Sequence, residues 1–132
     1  MAFKGNIETL TLKNKFYRKV LYTVSHSLQL VVMSLKPQED IGMEKHPSTS
    51  QFIRVEKGKG IAIIKNKLYH LKNGDSIIIP PNTYHNIINT SESTDLKLYT
   101  IYSPPHHRDG VVHITKAEAA ADDEHFDGQT TK

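Results

Sequence analysis

A chain of 132 residues, 37% hydrophobic and 23% charged, is the size of one domain and can bury a core without a stapling metal or disulfide. Its composition excludes wholesale disorder, collagen and coiled coil. The absence of cysteine excludes a disulfide framework, a thiolate zinc site and a cysteine nucleophile. The net charge of +3 is unevenly placed: residues 117–132 hold five acids and one base, leaving +7 on the preceding part.

The lysines of that basic part are scattered singly along strands and turns, without a dense stripe or an aromatic platform. They read as solvated faces and edge protection, and no nucleic-acid partner is expected. The longest apolar runs, Leu30–Met33 and Ile61–Ile64, are four residues, far short of the ~20 a spanning helix needs. The first residues carry no apolar signal core, so a soluble cytoplasmic protein without a membrane partner is expected.

In chain order, Arg18–Thr23 and Leu28–Leu35 are rich in strand formers, and Lys36-Pro37-Gln38-Glu39-Asp40 is a turn. Gln51–Glu56 alternates as a strand and ends at the Lys57-Gly58-Lys59-Gly60 turn. Ile61–Ile64 and Leu68–Leu71 form a hairpin, Asn73-Gly74 is a turn, and Ser76–Ile79 stops at Pro80-Pro81. Tyr84–Asn89 and Leu96–Tyr102 are the last clear strands. Many short strands without a long helical pattern predict an all-β sandwich or barrel. Thr115-Lys116-Ala117-Glu118 fits a helix cap ahead of Ala119-Ala120-Ala121. The expected division is a barrel over 1–114 and an acidic tail over 115–132, a short fraying helix followed by disorder from Phe126.

Two segments carry chemistry. Glu44 and His46 are two residues apart, so in a strand they share a face, and Gln51 opens the next strand toward the same cavity. His85 begins a later strand. Imidazole nitrogens with carboxylate and amide oxygens suit a divalent first-row metal, with positions left open for water or substrate. Alternation from His85 turns Ile87 and Asn89 inward. With Lys97 facing out, Leu98, Thr100 and Tyr102 face in. Met33 and Tyr102 are the candidate substrate-binding residues. His106-His107 and His113 read as a solvated loop after Pro104-Pro105. His26, His70 and His125 read as surface residues.

The residues Gly74, Pro80, His85 and Asn89 fall in register with the second cupin motif, and Asn82 stands at its internal glycine. Asn is the non-glycine residue most at ease at positive φ. Gly58 and His46 fit the first motif, in which Glu44 stands for its first histidine and Gln51 for its glutamate. The chain thus resembles a cupin, and its ending Leu98–Pro105 with the acidic tail resembles small single-domain members of that superfamily. The resemblance implies a double-stranded β-helix (jelly-roll) barrel holding Zn, Mn, Fe or Ni on Glu44, His46, Gln51 and His85. The paired exchange keeps the ligand count and the ligand charge of three histidines and a glutamate, and it echoes the zinc set of phosphomannose isomerases. An isomerase, epimerase or dioxygenase acting on a small polar or sugar-like molecule is implied, or else a non-catalytic binding module. Phe52, Tyr99 and Ile101 are expected to face outward, where a second copy would cover them in a homodimer.

Overall fold

The computed structural model describes residues 2–131. Among the described residues, nine strands form two antiparallel sheets. They are β1 (Arg18–Val24), β2 (Leu28–Leu35), β3 (Ser50–Lys57), β4 (Gly60–Ile64), β5 (Lys67–Leu71), β6 (Ser76–Ile79), β7 (His85–Asn89), β8 (Leu96–Ser103) and β9 (Val112–His113). The larger sheet has the order β6-β3-β8-β2-β1-β9 and the smaller β5-β4-β7. The expected all-β barrel is therefore present, and every predicted strand falls within about two residues of its place.

Alternation sets what each strand buries. In β8, Leu96, Leu98, Thr100 and Tyr102 point inward and Lys97, Tyr99 and Ile101 outward, as predicted. The core joins Val31, Met33, Leu35, Ile53, Val55, Leu98 and Tyr102 of the larger sheet to Ala62, Leu71 and Ile87 of the smaller, so the two sheets close on one apolar interior. Two glycines shape the closure. Gly58 has φ +113, and a Cβ there would lie 2.8 Å from the Asp95 carbonyl oxygen. Gly60 brings the chain so near β7 that a Cβ would lie 2.4 Å from the Ile88 oxygen.

Three features depart from the sequence reading. A helix α1 (Ile7–Lys13) precedes β1, capped by Asn6, whose Oδ1 accepts from the Thr9 amide at 2.9 Å. It lies against the outer face of β2, β3 and β8, which is why β2 is buried on both faces from Val31 onward. Short β9 pairs with β1 and extends the larger sheet. The second helix, α2 (Lys116–Ala121), is where the cap predicts it, with Thr115 Oγ1 accepting from the Glu118 amide at 3.1 Å. Where composition predicts disorder from Phe126, the chain is laid along the barrel: the Phe126 amide donates to the His106 carbonyl at 2.9 Å and the Thr131 amide to the Thr23 carbonyl at 3.1 Å.

Candidate metal centre

Glu44 is not in a strand. It makes an isolated bridge with His85, exchanging both backbone bonds at 2.9 Å, and His46 follows in an irregular loop. The segment is bent by Gly42 at φ +102 and tied down where the Gly42 amide donates to Asn86 Oδ1. The same-face argument for a strand thus fails locally, yet both side chains still converge. Glu44 Oε1 lies 3.4 Å from His46 Nε2 and 3.5 Å from His85 Nε2. Ligating atoms of Glu44, His46 and His85 all lie within 4.8 Å of one another.

The second motif positions His85. Asn82 adopts φ +58, as glycine would, and its amide donates to the His46 carbonyl at 2.7 Å, joining the two motifs. The next turn brings the Thr83 carbonyl within 2.8 Å of His85 Nδ1. A carbonyl only accepts, so Nδ1 carries the proton and the lone pair of neutral His85 sits on Nε2, facing Glu44. Asn89 closes the far end, its amide donating to the carbonyls of Leu35, Lys36 and Thr94. Gln51 enters from β3. Its Nε2 donates to Thr100 Oγ1 at 3.0 Å, and its Oε1 is buried without a partner.

Three buried polar atoms of this group, His46 Nε2, His85 Nε2 and Gln51 Oε1, therefore find no hydrogen-bond partner among the described residues. Buried polar atoms are normally paired, and orphans of this kind ask for an explanation. Two imidazole nitrogens, an amide oxygen and a carboxylate form a hard-to-borderline donor set that fits a divalent first-row cation. Electrostatics agree. Burial alone would raise the Glu44 carboxyl, but its contacts with His46 and His85 outweigh it and hold the group far below the usual carboxylate range. Burial likewise pulls His85 down, while Glu44 and the Thr83 carbonyl raise it to a net upward shift. Glu44 is thus anionic, and the arrangement attracts positive charge.

Tyr102 borders this group, its ring 5.8 Å from that of His46. Burial keeps its hydroxyl protonated well above the ordinary tyrosine range. That hydroxyl lies 3.3 Å from His107 Nε2, a side-chain partner and not a backbone one. Met33, the other candidate, faces inward from β2. It is 1% exposed within the apolar core and does not line the cleft beside Glu44, because the inward phase of β2 points it into the packed interior.

The larger correction concerns the histidines after Pro105. His107 and His113 are each 4% exposed, and the His106 ring lies 4.0 Å from that of His46. They are not a solvated loop. Gln29, fully buried, accepts from the amides of His106 and His107 on Oε1 and donates to the His107 carbonyl, pulling the loop in. Glu124 accepts from His107 Nδ1 at 2.6 Å and Asp122 lies 3.0 Å from His113 Nε2. Burial, then the neighbouring His107 and His46, push His106 down to about 3, so its ring is neutral. No signal in the sequence marks this placement, because the burial of Gln29 and its hold on the loop come from contacts 77 and 78 residues apart. His26, His70 and His125 are exposed, as expected.

The cleft opening onto Glu44 has a volume of about 220 Å³ and runs between the barrel mouth and α2. Tyr17, Arg18, Ile41, His106 and Lys116 line it.

Comparison with known proteins agrees with this architecture. A cupin domain pattern matches residues 31–102. An uncharacterized protein, L612 of Acanthamoeba polyphaga mimivirus, is 49% identical over 117 residues, covering 86% of this chain and 72% of that protein. An uncharacterized protein, YrkC of Bacillus subtilis, is 44% identical over 125 residues, covering 90% of this chain and 66% of that one. The crystal structure of BH2720 from Bacillus halodurans superposes with a TM-score of 0.89 at 41% identity, over 92% of this chain and 96% of that chain. With the paired motifs, the two-sheet barrel and these relatives in agreement, the chain belongs to the cupin family.

Proposed function

We propose that this cupin binds one divalent metal ion through Glu44, His46 and His85. Gln51 serves as fourth ligand or as partner of a metal-bound water. We further propose that it acts on a small polar or sugar-like molecule as a metal-dependent isomerase, epimerase or dioxygenase. The observation carrying this is the convergence of orphaned Nε2 atoms of two buried histidines on one carboxylate oxygen. A bound Zn, Mn, Fe or Ni ion would act there as a Lewis acid on a carbonyl or hydroxyl or would lower the pKa of bound water. The protein groups do the rest. The Thr83 carbonyl fixes the His85 tautomer, and Thr100 turns the Gln51 oxygen away from itself. Tyr102, held protonated by burial, is a hydrogen-bond donor at the inner wall. Met33 supports that wall from the core.

A second reading, a non-catalytic binding barrel, draws support from Glu44 and Gln51, which differ from the family's usual histidine and glutamate. Metal analysis of tag-free protein separates them. Close to one equivalent of metal per chain, lost in His46→Ala/His85→Ala, is expected. A metal-free protein that takes up none of Zn, Mn, Fe or Ni would overturn the metal reading. We place the protein in the cytoplasm as a homodimer. Among the described residues no helix is long and apolar enough to cross a membrane.

A further inference from the structure

Arg18 is the charged group that the metal reading leaves unused. β1 turns its side chain inward, leaving the residue 8% exposed. Its Nη1 lies 3.3 Å from His113 Nδ1. Because His113 Nε2 lies 3.0 Å from Asp122, the ring proton sits on Nε2 and the Nδ1 lone pair receives the arginine. The direct partner of the guanidinium is thus a ring nitrogen and not a carboxylate. Its Nε is buried without an acceptor, and among the described residues no carboxylate forms an ion pair with it. Glu124 senses its charge but is bound to His107 and to the Arg108 amide.

A buried cation without a counter-ion is strongly disfavoured unless something supplies the charge. Arg18 lines the same cleft as Glu44, at whose mouth the other cation, Lys116, is already paired with Asp40. Tyr17 packs beside the guanidinium, whose carbon lies 5.3 Å from the ring centre. Burial raises the Tyr17 phenol to about 12, so it stays a donor.

We propose that the cleft takes a small carboxylic acid, with Arg18 holding the carboxylate while the remainder of the molecule faces the metal ligands at Glu44. The placement of that remainder rests on the metal reading, whereas the carboxylate contact does not. The volume of about 220 Å³ suits a small molecule. One free guanidinium matches a monoanion through a paired hydrogen bond. Glu44 and Glu124, which line the same cleft, repel a phosphate dianion about twice as strongly as a monoanion, and no second unpaired cation stands among its described lining residues.

The test uses the full chain. It has three arginines, Arg18, Arg54 and Arg108, so ¹⁵N labelling yields three side-chain Nε–H signals. Acetate, glycolate and pyruvate are titrated with and without one equivalent of zinc, beside glycolamide and inorganic phosphate. Saturable movement of the Arg18 signal by a carboxylate and not by glycolamide is expected, with Arg54 and Arg108 unmoved. Calorimetry on Arg18→Gln is expected to show at least about tenfold weaker carboxylate binding with unchanged metal content. An Arg18 signal indifferent to all three acids, equal affinity in Arg18→Gln, or a response to phosphate alone overturns the proposal. If Arg18→Gln does not fold, the wild-type titration decides. Metal bound with a silent Arg18 sinks this proposal alone, whereas a responding Arg18 in a chain that takes up no metal sinks only the metal reading.

Discussion

Single residues carry two different kinds of constraint here. Gly74 and Gly58 both have positive φ, +88 and +113, and both belong to the cupin motifs. Nothing lies within 4 Å of a Cβ built on Gly74, so Gly74→Ala meets only backbone strain, about 1–2 kcal/mol. A Cβ on Gly58 meets the Asp95 oxygen at 2.8 Å and the Leu96 Cα at 3.1 Å, both backbone atoms that cannot rotate away. Gly58→Ala is therefore expected to cost more, about 2–4 kcal/mol, and denaturant melts of the two variants check the order. The motif spacing marks both glycines equally. Only the approach of the chain before β8 tells them apart. Asn82 shows the reverse case: its φ of +58 was legible from the motif position alone, because few residues tolerate it.

At the scale of elements, the tail after α2 works as a strap across the cleft. Glu124 holds it through His107 and the Arg108 amide, Asp122 through His113 and Arg108, and Phe126 through the His106 carbonyl. Burial alone would raise the Glu124 carboxyl, but the His107 bond and the Arg108 amide bring it to about 2 from an ordinary 4.5. A depressed carboxyl contributes stability that is complete above its unfolded value and is lost as pH falls through its folded one. The strap is thus expected to stay docked at neutral pH and to loosen between about pH 4.5 and 2. Amide exchange at Arg108 and Phe126 measures this directly. Glu124→Gln is expected to weaken docking already at pH 7, by about 2 kcal/mol. An exchange profile flat across that window would contradict the assignment. The helix α2 itself was legible, because an N-cap is a local signal. The strap was not, since its partners stand in the loop 106–108, in β9 and in β1, between 9 and 108 residues away in sequence and outside any local pattern.

For the whole molecule, the proposed homodimer would use the outer face of the larger sheet. The register aligns Ile78, Phe52, Ile101, Leu30 and Tyr22 side by side across five strands, and Ile78 is 70% exposed. The expected dimer face was Phe52, Tyr99 and Ile101. All three are half-buried, and α1 covers part of this sheet face. The remaining apolar row still favours a second copy. A dimer by light scattering at micromolar concentration is expected, reverting to monomer in Ile78→Asp. A monomeric wild type would end the idea.

The sequence by itself determined every strand but β9, the turns and the cap of α2, and it marked Glu44, His46, Gln51 and His85 as candidates. These rest on alternation, glycine and proline placement and short spacings, all of which act between near neighbours in the chain. Tertiary structure alone decided that His107 and His113 are buried with His106 packed on His46, that Met33 faces the core and that Arg18 is buried with no carboxylate of the described residues paired to it. Those outcomes depend on which surfaces meet when β1, β2, β8 and the tail pack together. No local pattern encodes the burial of a charge or the capture of a loop by a distant glutamine.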